Sequence, residues 1–325
     1  MRPNVTMGVW SWLLPALTLG QPLPEGHTGI AAHYVGDADI GSDPSVLFAD
    51  GFESAAVGRL AGWDVWDNVW GDVRVVADAN KVHRGRRAVE MAHPGASSSL
   101  GASRDFGTDG HDVLHLRYYI KYHANFPGAH HSGGTILAGD ADATTGSVTG
   151  IAPDGTNHYL ASIDAVSPYF SWTPPGNRPP GITYVYCYHM EQASVGDPRG
   201  QQWGDIFYST GDVNGGRDLF GETFVPRPNY LADRDRWYAF ELMVQANTPG
   251  ARDGRIAVWI DGALVAEFPN LRLRSVATLK NKLAVIGTWA SQAHADKSMW
   301  FDDVVVATRY IGPMAPRAPT RLQVR

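Results

Sequence analysis

The residues with the most chemical reach in this chain fall in two strand-like runs and one turn-like segment. In VLHLRYYIKYH (113–123), strand alternation puts Leu114, Leu116, Tyr118, Ile120 and Tyr122 on one side and His115, Arg117, Tyr119, Lys121 and His123 on the other. The second set is a row of donors about 6.6–7 Å apart with no acid among them, a pattern suited to an anion such as a sugar carboxylate or sulfate. Its alternative is an ordinary solvated face answered by acids on the next strand. TYVYCYHM (183–190) alternates likewise, with Tyr184, Tyr186 and Tyr188 on one side and Val185, Cys187 and His189 on the other. Tyrosines in a row on a concave sheet stack on sugar rings and offer phenols as proton donors. The same residues also make ordinary cross-strand aromatic packing. Cys187 has only His189 close in sequence to lower its pKa, and reads as a small apolar filler.

The turn-like segment is FPGAHHSGG (126–134). Glycines on both sides of His130 and His131 let the backbone approach a ligand, and one imidazole can act as a general base near neutral pH. A metal reading would need a third ligand, for which His189 is available, but the spacing matches no compact metal motif. Glu53 follows the first strand candidate, and Asp302 and Asp303 lie in the last. Pairing of the terminal strands would bring these carboxylates together, Glu53 and Asp303 above all. Such oxygens suit a structural Ca²⁺ that ties the termini together. Trp203 and Trp289 offer flat faces for flanking sugars.

These groups need a scaffold, and the texture of the chain predicts one. Short runs rich in Val, Ile, Tyr, Phe and Trp alternate with Gly, Pro, Asn and Asp clusters: VLFADGF (46–52), VRVVAD (73–78), RAVEMA (87–92), HYLASID (158–164), WYAFELMVQ (237–245), RIAVWIDG (255–262), KLAVIGTW (282–289) and MWFDDVVVA (299–307). This spacing predicts an all-β protein, an antiparallel sandwich or jelly roll. With 44% hydrophobic and 18% charged residues, 36 Gly and 21 Pro, neither global disorder nor a helical bundle fits. The 27 basic and 33 acidic residues give no global reason to bind nucleic acid or an anionic membrane. A single cysteine excludes an intramolecular disulfide. Residues 1–20 (MRPNVTMGVWSWLLPALTLG) carry a basic start, an apolar stretch and small residues near a cleavage point, and read as a secretory signal peptide. Residues 21–45 form an irregular lead, 46–313 the sandwich domain, and 314–325 an exposed tail. The middle, 191–235, has few strand signals and reads as long loops.

Three stretches together resemble the jelly-roll polysaccharide lyases of family 14, which cleave alginate and glucuronan. RWYAFELMVQANTPGARDGRIAVWIDGALVA (236–266) matches that family's strand, N-T-P-G turn and V-W-x-D-G strand. FPGAHHSGGTILAG (126–139) stands where the family has F-x-G-F followed by G-G-K-L-P-G, and MWFDDVVV (299–306) is similar to its closing strand. LFADGFE is common to many concanavalin A-like sandwiches and supports that fold. The resemblance implies a concanavalin A-like jelly roll of two antiparallel sheets and an acidic polysaccharide as partner. It also marks departures. The family's lysine after G-G is Thr135 here, and the arginine of its S-x-R stands at Asp164, after Ser162. The family's Y-x-Y pair is Tyr184 with Tyr186, or Tyr186 with Tyr188. The stretch before the last strand is GTWASQAHADK (287–297), with Trp289, Gln292 and His294.

The reaction so implied is β-elimination at a uronate. It needs a group that neutralises the carboxylate, a base for the C5 proton and an acid for the leaving oxygen. Arg117 or Lys121 is expected to neutralise, His131 to act as base with His130 beside it, and Tyr186 or Tyr188 as acid. His115, Tyr119, Tyr184, His189, Trp203 and Trp289 are expected to bind substrate. Two other readings use the same scaffold. A lectin-like module would bind without cutting. A glycoside hydrolase would need two carboxylates about 5–9.5 Å apart in one cleft, for which Glu241 and Asp205 are available.

Overall fold

Alternating apolar residues build two eight-stranded sheets and bury one face of each against the other. The computed structural model describes residues 22–66, 73–92, 98–107, 109–139, 150–168, 173–192, 202–214, 223–290 and 296–315. The back sheet runs β14 (Ala263–Leu271), β13 (Gly254–Ile260), β12 (Trp237–Gln245), β6 (Val113–Tyr122), β16 (Ser298–Ala307), β4 (Ala88–Ala92) and β3 (Val73–Val76), with β1 (Val46–Asp50) on the second half of β16. The front sheet runs β11 (Val213–Asn214), β10 (Asp205–Tyr208), β9 (Ile182–Tyr188), β8 (Tyr159–Val166), β7 (His131–Ala138), β15 (Asn281–Ala290), β5 (Ser98–Asp105) and β2 (Asp64–Trp66). Every strand pair is antiparallel. The expected jelly-roll sandwich is the fold observed. The signal-peptide reading and residues 316–325 of the tail lie outside the described residues. Among the described residues no helix is long and apolar enough to cross a membrane.

The core lies between the sheets. Leu116, Tyr118, Ile120, Phe240 and Phe301 of the back sheet meet Ile136, Ile163, Val185 and Ile286 of the front. The sheets approach closely at Gly133–Gly134. There the Gly134 N–H donates to the Tyr118 hydroxyl at 2.8 Å, and an added Cβ would collide with the Tyr118 ring at Gly134 or with the Ile163 carbonyl at Gly133. In β16 the core positions are Met299 and Phe301, then Val304 and Val306. A register shift between Asp302 and Val305, with Asp303 at φ 45°, accommodates the odd step and turns both acids outward.

The outward face of the back sheet is closed by the two ends of the chain. Ile30, Ala31 and Ile40 pack on Val305, Ala307 and Ile311, and the Trp259 indole donates to the Pro24 carbonyl at 2.8 Å. Residues 22–45 are thus irregular in form yet docked along the sheet. Met314 and Ala315 are held too: Met314 N–H donates to the Tyr119 hydroxyl at 2.9 Å, and Ala315 bridges Val35.

This closure corrects the anion-groove reading of β6. The donor row points away from the front sheet and is answered by acids and backbone. His115 Nδ1 lies 2.8 Å from Glu241 Oε1, and Glu241 also accepts the N–H groups of Ile311 and Gly312 at 2.9 and 2.8 Å. Arg117 is 0% exposed and bonds Asp37 of the lead. Burial opposes its charge, but Asp37 beside it prevails and raises the guanidinium pKa above its ordinary value. Tyr119 stacks on His83 with centroids 3.8 Å apart. Lys121 pairs with Asp235 at 2.7 Å and donates to the Asn80 carbonyl at 2.9 Å, and His123 lies 3.5 Å from Asp296. Arg117, Lys121, His115 and Tyr119 are therefore fold-closing residues of the far face.

Removing one partner of a buried ion pair strands the other charge. Arg117→Ala is expected to lower the unfolding free energy by about 3–5 kcal/mol in urea titrations. A loss under about 1 kcal/mol would show that the lead does not depend on this contact.

Candidate functional site

The outward face of the front sheet gathers the remaining groups. Core residues alternate inward along β8 and β9, so Ser162 and Asp164 share the outer face with Tyr184, Tyr186 and Tyr188. Register places Asp164 opposite Tyr184, Ser162 opposite Tyr186, and Trp289 of β15 opposite His131 of β7. His131, expected in a turn, is the first residue of a strand.

His131 Nδ1 sits 2.8 Å from Asp164 Oδ2, and the other Asp164 oxygen accepts the Ser132 N–H at 2.9 Å. Asp164 is 1% exposed, whereas the His131 side chain is 28% exposed. A carboxylate on Nδ1 selects the tautomer that carries its proton there, leaving Nε2 with a lone pair. The half-buried Tyr186 ring lies 4.9 Å from the imidazole. Its hydroxyl accepts the Gly204 N–H at 3.0 Å and donates to Tyr188 at 3.4 Å; Tyr188 in turn accepts the Gly150 N–H at 3.1 Å. Burial, then the neighbouring Tyr188, pushes the Tyr186 pKa well up, so this phenol holds its proton. Thr135 donates to Ser162 at 2.9 Å nearby.

The two adjacent histidines differ. Burial, reinforced by neighbouring His131, pushes His130 down to about 3, so it is neutral at pH 7. Its ring meets Trp289 edge-on at 4.6 Å and forms a wall rather than a base. Tyr184 is buried and donates to the His130 carbonyl at 3.3 Å, fixing the loop from beneath. The structure thus brings together His130, His131, Tyr184, Tyr186, Tyr188 and Trp289. Trp203 immediately precedes Gly204, the partner of Tyr186. Gln292 and His294 lie outside the described residues.

Other expectations are corrected. His189 points inward and pairs with Asp205 at 2.9 Å, both buried, so it neither meets substrate nor completes a metal set with His130 and His131. Burial pushes the Cys187 thiol far up, as befits a filler. Glu241 lies beneath the C-terminal segment on the back sheet and Asp205 inside the front sheet, so they do not form a hydrolase pair in one cleft. Glu53 and Asp303 open on one cavity of about 420 Å³ that Asp37, Asp39 and Asp50 also line. Glu53 already accepts the N–H groups of Arg86 and Arg87 at 2.8 and 3.0 Å, and Asp303 lies 2.8 Å from His83 Nδ1. Among the described residues no three His, Cys, Asp or Glu side chains converge as metal ligands. Sequence reasoning saw Asp164 only as a missing arginine; its outward register opposite Tyr184 was the available signal.

The fold is similar to that of jelly-roll polysaccharide lyases. A double mutant of alginate lyase Aly36B in complex with alginate tetrasaccharide matches at TM-score 0.54 and 16% identity, covering 82% of this chain and 98% of that one. Another, in complex with alginate trisaccharide, matches at 0.55 and 17%, covering 82% and 99%. An endo-beta-1,4-glucuronan lyase from the fungus Trichoderma reesei matches at 0.49 and 18%, covering 81% and 96%. At these identities the likeness establishes the fold. No family model and no curated protein matches the chain.

His130 makes stability depend on pH. The ordinary imidazole value is 6.5 and the folded one about 3, so between them the unfolded chain binds a proton that the folded chain does not. This stability is present above about 6.5 and lost as pH falls through about 3. His130→Phe is expected to flatten the decline of the urea midpoint across that window; a slope equal to the parent's would assign His130 an ordinary pKa.

Proposed function

We propose that the protein is a secreted polysaccharide lyase that cleaves a uronate-containing polysaccharide by β-elimination. The observation that carries this reading is the His131–Asp164 pair, a half-open imidazole on a buried carboxylate, set beside the protonated phenol of Tyr186. A base oriented by a carboxylate and an acid a few ångströms away are the two proton-handling groups that elimination needs. His131 Nε2 takes the C5 proton and Asp164 stabilises the imidazolium. Tyr186 gives its proton to the departing glycosidic oxygen while the Gly204 N–H stays on the phenolate, with Tyr188 hydrogen-bonded behind it. Trp289, beside both histidines, offers a flat face for a neighbouring sugar. The fold shared with a lyase complexed with alginate oligosaccharides supports the substrate class. Secretion rests on the signal-like residues 1–20.

Cleavage of a panel of uronate polymers is expected to raise ultraviolet absorbance from the new C4–C5 double bond. His131→Ala, Asp164→Asn and Tyr186→Phe should each lower kcat/KM by about 10²–10⁴, and Tyr188→Phe by less. Full rate in His131→Ala removes it as the base. Saturated products would mean hydrolysis instead, and retention on a polysaccharide column without cleavage a binding module.

Calcium belongs to the same proposal as a structural ion. Glu53 and Asp303, which line one cavity, would supply carboxylate oxygens to it. A chelator should lower Tm and added calcium restore it; a Tm indifferent to both removes the ion.

A further inference from the structure

The electrostatics of the site bear on the form in which a uronate enters it. The fixed charge in its floor is negative: Asp164 is buried, with one oxygen on His131 and the other on the Ser132 N–H. In the base role His131 is neutral, so the pair carries one negative charge. Among the described residues, the one Lys or Arg in β7, β8, β9 and β15 is Lys282, at the opposite end of β15 from Trp289. The cations of β6 that a carboxylate would need are on the far sheet, already paired with Asp37 and Asp235. The neighbouring groups, Tyr186, Tyr188, Thr135 and Ser162, are neutral hydrogen-bonding side chains.

A free carboxylate is poorly matched to this face. Its like charge is repelled by Asp164, and loss of the C5 proton would build a second negative charge on a group with no Lys or Arg among the described outward residues beside His131 to receive it. An ester avoids both. Its carbonyl is neutral, withdraws electrons from C5, and takes up the developing charge as a monoanionic enolate that neutral donors can stabilise. We infer that the site takes the uronate as a neutral ester, such as a methyl ester, in preference to the free acid. This deepens the lyase reading and rests on it. The C5–H bond breaks and its proton goes to His131. The electron pair becomes the C4–C5 double bond as the C4–O bond breaks, and the leaving oxygen takes a proton from Tyr186. The ester is unchanged, and no water or oxidant is consumed. Solvent then carries the proton from His131 back to Tyr186.

The test pairs each polymer with its ester: polygalacturonate with highly methyl-esterified homogalacturonan, alginate with its propylene glycol ester, and glucuronan with its methyl ester. The ester of the cleaved pair is expected to react with about 10²-fold higher kcat/KM, the size of one like-charge contact in a partly buried site. Equal or faster cleavage of the free acid overturns the inference and leaves elimination standing. Cleavage of neither form removes the lyase reading, and the inference with it. A second variant tests the cause. Thr135 is an outward, half-buried position bonded to Ser162. Thr135→Lys, checked for folding by circular dichroism, is expected to raise free-acid cleavage and narrow the ratio at least tenfold. An unchanged ratio in the folded variant overturns charge as the determinant.

Discussion

The His131–Asp164 bond depends on how β7 leaves its neighbour. β7 pairs with β8 residue for residue over Thr135–Ala138. Beyond Thr135 comes the close approach at Gly133–Gly134, where only hydrogen fits against Tyr118 and the Ile163 carbonyl. The next backbone donor, Ser132 N–H, is satisfied by the Asp164 carboxylate. The same carboxylate then has one oxygen left, and His131 occupies it. One side chain thus meets a backbone demand created by strand geometry and orients the imidazole. A side chain at either glycine would push β7 off the core and take His131 with it.

The two outer faces divide the labour. On the back sheet, charge closes the fold: Arg117 to Asp37, His115 to Glu241, and Glu90 to Arg74, Lys81 and the Trp300 indole. Buried charges on this scale are tolerable only when paired and hydrogen-bonded, and the lead supplies one of the partners. On the front sheet the outward groups around His131 are phenols, an indole, hydroxyls and one imidazole–carboxylate pair, with an apolar patch of Leu137, Leu160, Leu283 and Val285 further along. The back face is therefore largely covered by paired charges and the lead, whereas the front face leaves proton-bearing groups next to solvent.

Much of the architecture was legible. WYAFELMVQ is β12 to the residue, and β3, β4, β6, β8, β9, β13, β15 and β16 fall within two residues of their expected runs. Most strands that escaped were short or made of small residues; β14, ALVAEFPNL, is neither, and its Pro269 speaks against a strand. SSLGASRD in β5 has Gly101 opposite Gly287, and HSGGTILA in β7 reads as a turn because its glycines serve packing rather than bending. DIFY in β10 is too short to show a period. The site was half legible for a different reason. Alternation says which residues share a side of a strand but not what covers that side. It grouped His115, Arg117 and Tyr119 correctly, yet whether they faced ligand or protein was decided by residues 22–45 and 310–315, distant in sequence. Asp164 was hidden by its own chemistry, because an acid in place of a base looks like a loss until its hydrogen-bond partner is known.

A surface built only to stack on sugars has no use for the His131–Asp164 bond. Aromatic rings bind through flat apolar area and need no ionised group beneath them. Asp164, 1% exposed, instead holds an imidazole on one oxygen and a backbone amide on the other. An imidazole oriented by a carboxylate at the open face of a sheet is an arrangement that proton transfer uses. The contrast within the adjacent pair sharpens the point. His130, pressed against Trp289, is held neutral by burial, while His131, one residue on, is held to a carboxylate and half open. Their rings stand edge to face 4.5 Å apart, and His131 is the one whose Nδ1 rests on Asp164, the orientation a general base requires.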